Sequence, residues 1–132
     1  MSDIETTTIN EEKYHAFSRA GEFELSIDAS GNDGPSPNEV LVADYASCFT
    51  FACRAGAKRR LEVDLGKVET EAEADLDDSD DIEAIRFHLF IEAALTDEQL
   101  ESVIELGEEI CHVHAVLDSA VHADVEATAN AF

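Results

Sequence analysis

A run of apolar and small residues, with prolines at one end and basic residues at the other, constrains this chain more than any other feature. It is GPSPNEVLVADYASCFTFACRAGAKRR, Gly34 to Arg60. Pro35 and Pro37 cannot sit inside a helix but suit its first turn, and Ser36 or Asn38 can cap exposed backbone N–H groups. The pattern predicts a helix that begins near Pro37 and runs without a breaker to Gly56 or slightly beyond. From Val40 to Ala57 nearly every side is small or apolar except at Asp44, which is the composition of a helix enclosed by other elements. Cys48 stands in its middle.

A length of 132 residues suits one domain with a real core and is short for two, so a single domain over 1–132 is expected. Eight Lys and Arg face 31 Asp and Glu, for a formal net charge of -23. Solubility needs far less, and such self-repulsion opposes compaction unless salt screens it. An acidic excess with only three lysines, Lys13, Lys58 and Lys67, is a trait of halophile proteins, so most of the charge reads as adaptation to a salty cytoplasm. A nucleic-acid partner is not expected, because no basic stripe is there to replace counterions on phosphate. MSDIETTTINEEKYH has no basic region followed by an apolar core, and no apolar run reaches the roughly 18 residues of a spanning helix. A cytoplasmic protein without membrane contact is expected. Cys48, Cys53 and Cys111 in such a chain leave three roles open: buried apolar thiols, metal ligands or redox chemistry.

Before the helix, three short segments have strand character: Ile4 to Ile9, Tyr14 to Ala20 and Phe23 to Ile27. Turns at Asn10-Glu11-Glu12 and Ala20-Gly21-Glu22 would join them as hairpins, and Asp28 to Pro37 reads as a loop. After the helix, Val63 to Leu76 alternates apolar and charged residues, Asp77 to Asp81 turns, and Ile82 to Leu95 returns with Ile85, Phe87, Leu89 and Ile91 on one face. These form a second antiparallel pair. Thr96 and Gln99 stand at capping-box spacing before an amphipathic helix with Leu100, Val103, Ile104, Gly107 and Ile110 at helical intervals. Cys111 lies near its end, and Ala120 to Thr128 alternates as a last strand. The order β-β-β-α-β-β-α-β is an α+β pattern with antiparallel pairing. A first helix with no solvated face, and too few strands to cover it, also predicts a tight homodimer.

The segment GPSPNEVLVADYASC, ending at Cys48, and the later ICHVHAVLDSAVHADVEA, which contains Cys111, resemble the OsmC/Ohr family of osmotically inducible and organic hydroperoxide resistance proteins. The resemblance runs in order and spacing from about Gly34 to the end, in an acidic, haloarchaeal-type form. It implies an intertwined homodimer with antiparallel sheets wrapping two central helices. It also implies thiol reduction of organic hydroperoxides: Cys48 attacks, Cys111 resolves the sulfenic acid as a Cys48–Cys111 disulfide, and a dithiol reductant of unknown identity restores both. No cofactor and no metal are implied. The chain departs from the family pattern at Asn38, where the peroxidases carry a catalytic Glu, and at His112, where proline is usual. Glu39 comes one residue late, and nine residues at about 100° each put it about 180° from Cys48 on a regular helix. The alternative is an OsmC-like stress-associated or small-molecule-binding protein without significant turnover.

Within that resemblance, peroxide reduction needs a thiolate. Cys48 lies roughly 15 Å along its helix, where the dipole gives little help, so a cation is required; Arg19 matches the N-terminal-strand arginine of the family. Asp44, one turn before Cys48, is an awkward neighbour for a thiolate unless a cation lies between them. Cys111, at a helix C-terminus, suits the resolving role better than the attacking one. Cys53, about 140° round from Cys48, reads as a buried inert thiol. Cys111, His112, His114 and His122 could instead be a zinc cluster, although their spacing follows no strong ligand pattern. Arg54, Lys58, Arg59 and Arg60 read as stabilising a helix end.

Overall fold

Three short strands open the chain: β1 (Thr6–Ile9), β2 (His15–Ala20) and β3 (Phe23–Asp28), in an antiparallel sheet of order β1-β2-β3. The computed structural model describes residues 2–132. They fall into two compact units, one ending at Leu41 and the other spanning Val42–Phe132. The first hairpin turn is longer than expected. The Asn10 amide donates to the carbonyls of Glu12, Lys13 and His15, and Lys13 takes a left-handed φ of 54°, so Tyr14 belongs to the turn and β2 begins at His15.

Helix α1 (Pro37–Gly56) starts in the first unit and continues in the second. Ser36 and Glu39 form a reciprocal cap at its start: the Glu39 amide donates to Ser36 Oγ at 3.2 Å, and the Ser36 amide donates to Glu39 Oε1 at 3.0 Å. At the far end a π-helical turn (Ala57–Leu61) closes on Glu62, whose left-handed φ of 54° lets its N–H reach the Ala57 carbonyl. Arg54 donates to the Gly66 carbonyl and pairs with Asp64, and Arg60 pairs with Glu109. Two of the four basic residues there thus tie the helix end to its surroundings.

In the second unit, β4 (Val68–Leu76), β5 (Ile82–Ile91) and β6 (Asp124–Thr128) form a sheet of order β4-β5-β6. The expected strand from Val63 starts late because Gly66 has φ +68° and a side chain there would meet Glu92 Oε1 at 2.5 Å. β4 and β5 are antiparallel, but β6 runs parallel to β5. The long helical connection explains this, since parallel neighbours need a crossover of a dozen or more residues. That connection contains α2 (Asp97–Ile110), which begins with the Thr96–Gln99 capping box, and then α3 (His112–Val116) and a 3-10 turn (Ser119–Val121). No helix among the described residues is long and apolar enough to cross a membrane.

The core of this unit joins Tyr45, Phe49, Ala52 and Cys53 of α1 to Ile85, Phe87, Leu89 and Ile91 of β5 and Val103 of α2, all buried. The two helices approach closely because glycine sits at each contact. A Cβ on Gly56 would stand 2.6 Å from Leu106 Cβ, and one on Gly107 would stand 2.6 Å from Cys53 Sγ.

Candidate functional site

Cys111 occupies a junction. Its φ of -63° and ψ of 117° end α2, and the same residue is the N-cap of α3. Its sulfur accepts the His114 backbone N–H at 3.4 Å, and the chain resumes there as a helix. Cys111 is buried and Cys48 is half-buried, near enough that the Cys48 thiol raises that of Cys111. Two cysteines 63 residues apart in the chain are thereby brought together from different helices.

Burial, the largest effect, pushes the Cys111 thiol above its usual range. The His114 N–H pulls the other way, and proximity to Cys48 raises it further. The disadvantage of a helix C-terminus is therefore partly offset by the first amides of α3. Cys53 is a different case. It is fully buried against Gly107 and Phe49 neighbours, and burial pushes its thiol up to about 12.

Beside the cysteine pair lies a buried polar cluster that the sequence did not reveal. The Tyr45 hydroxyl and His114 Nδ1 are 2.6 Å apart, and the Tyr45 oxygen also accepts the Ala123 N–H at 3.1 Å. The His114 ring stacks on His122 with centroids 3.7 Å apart, and His122 Nε2 is 3.1 Å from the Leu117 carbonyl. Burial and then the neighbouring His122 hold His114 below the ordinary histidine range, and burial raises Tyr45. Tyr45 is three residues before Cys48 and His114 three after Cys111. Each is one helical turn from a cysteine, but nothing in the pattern pairs residues so far apart.

The remaining candidates have their own settings. Arg19 is exposed on β2, opposite Thr7 and Glu24. Glu39 spends one carboxylate oxygen on the Ser36 amide. Asp44 is exposed. Within the histidine group, His112 is exposed while His114 Nδ1 and His122 Nε2 are taken by Tyr45 and Leu117. Among the described residues no group of three or more His, Cys, Asp or Glu is arranged to hold a metal ion.

A family model described as OsmC-like protein matches residues 30–126. An uncharacterized protein of Haloferax volcanii is 48% identical over 132 residues, covering 100% of both chains. Among solved structures, the OsmC like protein from Mycoplasma pneumoniae superposes with a TM-score of 0.82 at 14% identity, over 97% of this chain and 96% of that one. The organic hydroperoxide resistance protein OhrB of Bacillus subtilis gives a TM-score of 0.72 at 18% identity, over 96% and 98%. At such identities these two structures establish a shared fold.

Proposed function

Since the chain belongs to the OsmC-like protein family, we propose that it is a thiol-dependent peroxidase of organic hydroperoxides. The observation that carries this reading is the proximity of Cys48 and Cys111, one thiol in the middle of α1 and the other at the α2–α3 junction. The Cys48 thiolate attacks the terminal peroxide oxygen; an S–O bond forms, the O–O bond breaks, and the departing alkoxide leaves as the alcohol after taking a proton. Cys111 then attacks the Cys48 sulfenic acid, forming the disulfide and releasing water. A dithiol reductant returns both thiols. Arg19 and Glu39 enter from the family resemblance, as the cation and carboxylate of the same chemistry.

The working form in this reading is a cytoplasmic homodimer, with both units belonging to one OsmC-like domain, because the matched family model runs across their boundary. Large exposed apolar side chains support an assembly: Phe23 is 77% and Phe51 68% exposed. A dithiol-supported assay of organic hydroperoxide consumption tests the enzyme; wild-type activity no greater than that of Cys48→Ser would refute it. One observation favours the alternative, a stress-associated or small-molecule-binding protein without significant turnover. Asn38 replaces the peroxidase glutamate, and the adjacent Glu39 is engaged in capping α1.

A further inference from the structure

The Tyr45–His114 contact and the Cys48–Cys111 contact are two rungs between the same pair of elements. On α1, Tyr45 and Cys48 are one turn apart; at the start of α3, Cys111 is the N-cap and His114 the residue whose N–H its sulfur accepts. Tyr45 has no exposed surface. Its oxygen accepts the Ala123 N–H, so its hydroxyl hydrogen has one destination, His114 Nδ1, at a short 2.6 Å. This network assigns His114 as the neutral ring with its proton on Nε2. A protonated ring has no acceptor to offer Tyr45.

We propose that Tyr45 and His114 are positioning residues for the cysteine pair: their hydrogen bond clamps the turn carrying Cys111 to the turn of α1 carrying Cys48 and sets how readily the two sulfurs join. The proposal rests on the reading of Cys48 and Cys111 as a redox pair. It adds a proton-sensitive control, because acid that protonates His114 turns the bond round: Nδ1–H then donates to the Tyr45 oxygen, and the Tyr45 hydroxyl hydrogen loses its acceptor. By linkage, whatever favours the clamped arrangement favours the disulfide, and the disulfide in turn resists protonation of His114. The groups facing His114 are Tyr45 and the neutral Phe49 from α1, Glu108 from α2, Cys111 at the α2–α3 junction, and His122 after the 3-10 turn. Phe87 of β5 closes the cluster through Tyr45 and carries no charge. Tyr45 and Cys111 are both held above their usual ranges, so neither carries a charge in mild acid.

The test is thiol–disulfide equilibrium of the full chain in high salt with oxidised and reduced dithiothreitol, approached from both directions. The Cys48–Cys111 bond is counted by alkylation and peptide mapping. Both protein thiols give up a hydrogen as their S–S bond forms, and the dithiothreitol S–S bond breaks and takes those two hydrogens. A protein thiol that ionises favours the reduced state at higher pH, so its titration would raise the disulfide fraction in acid, and a fall in acid reports another group. Tyr45→Phe keeps the ring and removes the donor; it should lower the effective concentration of the pair about tenfold, the equivalent of about 1.4 kcal/mol. In the wild type that concentration should fall from about pH 8 to about pH 5, whereas His114→Gln, with a carbonyl that accepts but does not titrate, should stay near the neutral wild-type value throughout. Cys53 should remain unreactive in both variants, which certifies the core; if Tyr45→Phe does not fold, the pH comparison with His114→Gln decides. Wild-type and Tyr45→Phe equilibria that coincide, a flat wild-type profile, or an acid fall retained in His114→Gln would each overturn the clamp. No Cys48–Cys111 bond in the wild type would remove the redox pair and the clamp together. Peroxide plays no part, so a protein without peroxidase turnover is told apart from one without the clamp.

Discussion

Cys48 and Cys53 are five residues apart on one helix, yet the fold gives them opposite lives. Cys53 faces the α1–α2 contact, where Gly107 leaves room for its sulfur and burial holds its thiol up to about 12. Cys48 faces the α2–α3 junction, half-buried, with another thiol in reach. The difference comes from what each meets across the helix. Cys53 is enclosed by core against Gly107, and Cys48 meets a junction where a second sulfur and a polar cluster converge.

The largest effect should come from removing each sulfur in turn. Cys48→Ser should bring hydroperoxide consumption down to the buffer rate while Cys53→Ala retains turnover; a dead Cys53→Ala enzyme that is still folded would erase the contrast. Reactivity should separate the pair next. A thiol reagent at neutral pH should modify Cys48 readily and Cys53 only through opening of the structure, so mass-spectrometric labelling with equal rates at the two positions contradicts the burial argument.

Gly107→Ala probes the quiet side. Its Cβ would stand 2.6 Å from Cys53 Sγ and 2.9 Å from Phe49 Cζ, and overpacking of this kind costs about 1–3 kcal/mol. Urea unfolding of the single and double variants measures this. Adding Cys53→Ala should recover part of the loss, because contacting sites are not additive; strict additivity would mean that the sulfur is not what the methyl meets.

The smallest effect belongs to the reactive side. His114 is held below the ordinary histidine range, so on acidification the unfolded chain takes up this proton first, and stability rises with pH through the window just below about 6.5. Replacing His114 with Gln should flatten that part of the stability profile; a wild-type curve level across the window would place His114 outside the buried cluster.

Local rules already separated Cys48 from Cys53, because 140° of helix rotation is a property of the chain alone. Likewise the start of α1 at Pro37, the Thr96–Gln99 capping box, and the inward row Ile85, Phe87, Leu89 and Ile91 follow from proline geometry, hydrogen bonding within one turn, and strand alternation. Only the tertiary structure decided the rest. Whether a strand is parallel depends on the path of its connection, as β6 shows. The restart of the chain as α3 depends on the Cys111 sulfur capping a new turn. The bond from Tyr45 to His114 spans 69 residues, and no periodicity carries information over that distance. Side chains so far apart meet because two helices, a sheet and a pair of glycines fix where each backbone passes, and that is settled only when all of them pack at once.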